Sequence, residues 1–136
     1  MRTRRQNTRG ATLIELMGSV AIFMIGATAL MGVYLQSITA SHRTGLFYTS
    51  YNLAKNHLET LKSINFNDLP LAAENSTIIN DDGVPDLSGQ FVRSTTINAN
   101  YTGDTTLTQV TVAVNYKLQG LLSSTPVQMT TVLFQS

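Results

Sequence analysis

The chain of 136 residues has no cysteine and no tryptophan, only three prolines, and just two histidines. Without cysteine there is no disulfide, no thiolate nucleophile and no thiolate metal centre, so whatever folds must be held by packing alone. The first proline is Pro70, which leaves the first 69 residues free of the strongest helix breaker. His42 and His57 stand fifteen residues apart with no H-E-x-x-H spacing, which gives no support to a zinc site. No serine lies in a nucleophile-elbow sequence, and nothing in the chain argues for an enzyme. Charge is scarce too, and from Leu16 to Leu35 it is missing altogether.

That uncharged stretch, LMGSVAIFMIGATALMGVYL, is what the chain is organised around. As a helix its twenty residues are about 30 Å long, roughly the hydrocarbon thickness of a bilayer. Directly before it stands Glu15, and before that a short leader carrying Arg2, Arg4, Arg5 and Arg9. A bare anchor needs no carboxylate here. Placing one at the centre of a membrane helix costs about 2.5–3.5 kcal/mol on insertion scales, so the acid points to a function. A secretory signal would have a shorter apolar region and a small-residue cleavage site beyond it. Arg4-Arg5 suggests a twin-arginine signal only until Glu15 is counted. The four leader arginines predict that the N-terminus stays cytoplasmic and that residues after Leu35 lie outside the inner membrane.

Basic leader, Gly10, Ala11-Thr12-Leu13-Ile14-Glu15 and a long apolar helix together resemble the class III signal of type IV pilins and type II secretion pseudopilins. The resemblance implies that prepilin peptidase cuts between Gly10 and Ala11, N-methylates Ala11, and leaves Glu15 as the assembly glutamate at the fifth mature position. It departs from the family in one place: the first mature residue is usually Phe, and here it is Ala11, a variation commoner in minor pilins. The stretch from Asn52-Leu53-Ala54 to Glu59-Thr60-Leu61-Lys62 has more loosely the look of PilV/GspI-like minor pilins. The implied partners are other pilins or pseudopilins through the N-terminal helix, the peptidase and methyltransferase, the inner-membrane assembly platform and the inner membrane itself. In assembled filaments of this family the helix often loosens where many members carry a proline. Gly32 holds that place here, and with Gly26 it marks the expected point of flexibility; close helix packing in lipid explains small residues equally well.

Removing residues 1–10 takes four of the nine basic side chains and no acid, which leaves five basic against eight acidic in the rest. No basic stripe remains, so nucleic acid is not an expected partner. About 100 residues follow the apolar run, enough for one small domain.

The helical pattern continues past the membrane-length run. Phe47, Tyr51, Ala54, Leu58 and Leu61 recur at three- and four-residue spacing, predicting one helix from about Thr12 to Ile64 with an apolar stripe. Asn65 to Pro70 should end it. Residues 65–90 read as loop, and 91–136 as an antiparallel sheet. Phe91–Tyr101 is rich in threonine and valine, with Ile97, Ala99 and Tyr101 on one face. Leu107–Lys117 alternates, with Val110, Val112, Val114 and Tyr116 inward. Pro126–Phe134 offers Val127, Met129 and Leu133, and Thr102-Gly103-Asp104-Thr105 supplies turn chemistry between the first two strands. The expected fold class is α+β, with a long helix whose second half is covered by a sheet of three or more strands, as in pilins. The chain then divides into a cleaved leader (1–10), a transmembrane half (11–35) and a periplasmic head (36–136).

One loop has the composition of a cation site. Asn80, Asp82 and Asp86 around Gly83 resemble half of a calcium loop, but Ile78 and Gly89 fall where the first and twelfth ligands belong, which favours a solvated turn. Asn75-Ser76-Thr77 and Asn100-Tyr101-Thr102 fit a glycosylation sequon. The reading is a minor pilin-like structural subunit. The alternative, a pilus-tip adhesin or DNA-uptake module, would need an exposed aromatic and basic patch, for which the predicted strands offer only Arg93 and Lys117.

Overall fold

A computed structural model describes residues 12–135. The first element, α1 (Leu13–Lys62), is one uninterrupted helix of 50 residues, carried through Gly26 and Gly32 without a break. Its last turn closes with tighter bonds from Ser63 N–H to Thr60 O and Ile64 N–H to Leu61 O. Asn65 is then extended, and a short 3-10 helix (Phe66–Ala72) takes in Pro70. By its internal contacts the chain forms two units, Met1–Ser41 and His42–Ser136.

In the first unit every described residue is exposed, including Leu13, Ile14, Ile22, Phe23, Ile25 and Leu30. This half of α1 is apolar all round and long enough to cross a membrane. Its small polar residues do not interrupt it, because they bond back to their own helix. Ser19 Oγ donates to Glu15 O at 2.8 Å, and Thr28 Oγ1 to Ile25 O at 2.9 Å.

The second unit is an antiparallel sheet closed over the rest of α1. Its strands are β1 (Glu74–Ile79), β2 (Phe91–Ala99), β3 (Leu107–Leu118), β4 (Leu121–Leu122) and β5 (Val127–Phe134). β1 pairs with β2, and β2 with β3; β3 then pairs with both β4 and β5 on its other side. The expected α+β fold is the one observed, and β3 presents Val110, Val112 and Val114 inward as its alternation predicts. Between β3 and β4, Gln119 (φ 53°) and Gly120 (φ 82°) form a two-residue hairpin loop whose twist matches the strands.

The core joins Leu46, Leu53, Ala54, Leu58 and Leu61 of α1 to Ile79, Phe91, Val110, Val112 and Val114. Each fully buried aliphatic side chain contributes roughly 1.5–3 kcal/mol. Among the described residues every buried one lies from Leu46 onward, so the core needs nothing from residues 12–41. Two expectations are corrected. The buried stripe of α1 runs Leu46, Ser50, Leu53, Ala54, Leu58, Leu61, while Phe47 and Tyr51 are 54 % and 41 % exposed. The stripe is rotated because Ser50 takes a central place, its hydroxyl satisfied on Leu46 O at 2.9 Å. And residues 65–90 are not all loop: β1 lies among them, its pairing irregular between Glu74 and Thr77, with Ser76 at φ 55°.

Candidate functional site

Cleavage and methylation were expected at Gly10 and Ala11, which lie outside the described residues. Glu15 is described. It sits in the first turn of α1, where its N–H bonds to Thr12 O at 3.0 Å. An acid there meets the free N–H groups of the helix start, worth about 0.3–1 kcal/mol at an exposed site. Its carboxylate has no hydrogen-bond or ion-pair partner among the described residues, and apolar, exposed side chains surround it in sequence. Around Gly18, Gly26 and Gly32 an added Cβ would meet nothing, so these glycines leave bare helix surface on which another helix can come close.

The head holds a charged cluster that sequence reasoning did not find. Arg93, only 6 % exposed, lies on the inward face of β2 between Phe91 and Thr95. Its Nε donates to Glu74 Oε2 at 2.6 Å, its Nη2 to Glu74 Oε1 at 2.9 Å, and its Nη1 to Gly83 O at 3.2 Å. This fork ties β1, β2 and the 80–89 loop together. His57 of α1 brings Nε2 to 3.8 Å from Glu74 Oε2, too long for a hydrogen bond, and that nitrogen is buried without a partner. Burial first, then the Arg93 charge, push the imidazole below its ordinary pKa against the pull of Glu74. For Glu74, burial pushes upward but the Arg93 hydrogen bond and charge, with His57, outweigh it, and the carboxyl titrates below its usual range. The parity of Phe91 and Ile97 on one strand was the available signal that Arg93 points inward.

Both shifts act in one direction. The fold disfavours the protonated form of each group, so stability is full at neutral pH. It falls as pH drops below the imidazole's usual 6.5, and again as Glu74 is protonated below the ordinary carboxylate range. His57→Gln should remove the upper part of that fall in a series of thermal melts. Glu74→Ala, which leaves the buried Arg93 unpaired, should cost about 3–5 kcal/mol in denaturant unfolding at pH 7.

Residues 80–89 fold onto β1. Asn80 Oδ1 accepts from Asp82 N–H and Val84 N–H, both at 3.0 Å, while Asp86 Oδ1 accepts from Ser88 N–H at 2.9 Å and Ser88 Oγ at 2.8 Å. Those Ser88 bonds, backbone first, lower the Asp86 pKa. The loop is closed by Asp86 N–H on Ile78 O and a bridge between Ile79 and Pro85. One side-chain oxygen each of Asn80 and Asp86 is thus already engaged within the loop. Added calcium should therefore shift the melting temperature of the wild-type protein no more than that of an Asp82→Ala/Asp86→Ala variant.

Of the two cations that the predicted strands offered to a binding patch, Arg93 is buried and Lys117 Nζ donates to Gly89 O at 3.1 Å. One groove of about 510 Å³ lies beside Lys62–Leu69 and Leu133–Gln135, and another of about 420 Å³ beside Arg43 and the β3–β4 hairpin.

Compared with known families, residues 5–31 match the prokaryotic N-terminal methylation motif. That motif is the one shared by type IV pilins and pseudopilins, and the long N-terminal helix followed by an antiparallel sheet is a pilin-like α+β arrangement. No curated protein and no solved structure matches the chain.

Proposed function

We propose that this protein is a minor pilin-like structural subunit, not an enzyme, built into a type IV pilus or a type II secretion pseudopilus. Prepilin peptidase cuts it after Gly10 on the cytoplasmic side and methylates Ala11. The apolar half of α1 first holds it in the inner membrane with the head in the periplasm. At the assembly platform the same half joins other subunits, Glu15 pairing with the amine that cleavage creates on a neighbour. The observation that carries this reading is the methylation motif leading straight into an all-round apolar helix, behind which the head has a core of its own. In a filament the bare glycines of that helix accept neighbours, with Gly26 and Gly32 the places where it loosens.

Intact mass of the membrane-extracted protein tests the processing step. Loss of Met1–Gly10 and one added methyl is the expected result, and Gly10→Leu should leave the precursor uncut. A mature chain beginning elsewhere would remove the reading. Deleting the gene and scoring surface pili, twitching and secretion separates pilus from pseudopilus.

A further inference from the structure

The hairpin between β3 and β4 ends on two leucines that the head does not use. Leu121 and Leu122 are 76 % and 54 % exposed and take no part in the core. No charged side chain follows Lys117 in the sequence, so nothing beside them in the chain resists an apolar surface.

Where this hairpin sits in the head follows from the strands. The start of β3 is paired with the end of β5, Leu107 with Phe134, and Phe134 lines the groove at Lys62–Leu69. The other end of β3 lies beside Arg43, in the groove lined also by Tyr116, Leu118, Leu121 and Leu122. β3 therefore runs back along α1, and its hairpin falls at the end of the head that α1 enters. Charge marks the same end. After Glu15 the next fixed charge in the chain is Arg43. The helix between them is about 40 Å long, and a bilayer with both headgroup layers is roughly 40–45 Å thick. With Glu15 at one headgroup layer, an upright α1 brings Arg43 to the other. Among the described residues, Arg43 is also the one charged side chain lining the hairpin groove.

We propose that the β3–β4 hairpin rests on the membrane that holds α1, with Leu121 and Leu122 set among the lipid headgroups and Arg43 against a lipid phosphate. This rests on the membrane reading above. The occupant is a phospholipid surface because the chain's own anchor brings one to this end of the head. The groove matches it, joining apolar side chains to a single cation. The hairpin goes no deeper than the headgroups. β4 is an edge strand, and hydrocarbon would leave its outer backbone groups unsatisfied. The contact gives the subunit a second hold on the bilayer, one that is given up when the subunit is drawn out for assembly.

Because cysteine is absent, one introduced cysteine carries one label. The full-length protein is placed at low density in vesicles of phosphatidylcholine and phosphatidylglycerol. A fluorophore is attached to Gln119→Cys at the hairpin tip, or to Leu71→Cys, an exposed position beyond the other end of α1. A nitroxide on the lipid headgroup should quench the Gln119→Cys label several-fold more than the Leu71→Cys label. Adding Leu121→Asp and Leu122→Asp, or the milder Leu121→Gln and Leu122→Gln, should lower that quenching several-fold. Equal quenching at the two labelled positions overturns the proposal. So does quenching at Gln119→Cys that persists through both leucine replacements in a protein melting as wild type does, since the anchor alone would give it. A hairpin label shielded from aqueous iodide only as protein density rises would put another copy in the place of lipid, and overturns it too. Resistance to alkaline extraction from the same vesicles reports the anchor by itself, so failure of the membrane reading shows separately.

Discussion

Val112→Asp unfolds the head. Val112 is fully buried at the middle of β3, opposite Thr95 on β2 and Met129 on β5. A carboxylate there has no cation in reach, since Arg93 is held by Glu74, and an uncompensated buried charge costs about 3–5 kcal/mol or more. That is comparable to the whole stability of a small domain, about 5–15 kcal/mol. Thr111→Asp, one residue away on the outer face, should shift the melting temperature by only a few degrees. The comparison is made on a fragment from about Thr39 onward, which keeps every buried residue, by circular dichroism during heating. Equal behaviour of the two variants would mean the head is not packed on this face of β3.

Glu15→Ala should insert and be cleaved normally, yet be nearly absent from sheared filaments. The carboxylate has no partner among the described residues, and a lone carboxylate in hydrocarbon is costly, as is a lone terminal amine. Both are relieved when they meet. Ala11 and Glu15 stand four residues apart, so pairing within one chain is geometrically open. Self-pairing would make the loss of Glu15 a matter of subunit stability, with assembly intact. Pairing between neighbours makes it a loss of assembly with the subunit intact. Glu15→Asp, with its shorter reach, should be partly defective. Processed Glu15→Ala protein in filaments at wild-type abundance would rule out the pairing between neighbours.

The elements that could be read from sequence are those whose pattern reports burial directly. β3 alternates over twelve residues, and its inward set followed at once. The helix was legible as well, from the run without proline before Pro70 and the three- and four-residue spacing. Its phase was not, because Phe47 and Tyr51 look like core while Ser50 does not. A buried serine bonded to its own helix leaves no hydrophobic trace. β1 stayed hidden for a related reason: Glu74-Asn75-Ser76-Thr77 has no apolar alternation, and it pairs through backbone and the Glu74–Arg93 fork. That fork joins residues nineteen apart, a distance over which local pattern carries no information.

Gly89 shows how little room the head leaves at one point. A Cβ there would stand 2.1 Å from Ile79 O, so even alanine would force the loop off β1.

The place of β5 in the chain also has a consequence for biosynthesis. Half of β3's hydrogen bonds go to a strand that is made about ninety residues after the apolar run has ended. At 5–20 residues per second that is a delay on the order of 5–20 s. For most of it β3 has not yet been made, and once made it has one bare edge until β5 follows, so the chain behind the anchor is still unfolded. The apolar half of α1 is thus available for insertion well before there is a folded head behind it. A chain in that condition can be threaded through a narrow channel, and the head takes shape only once Val127–Phe134 has arrived.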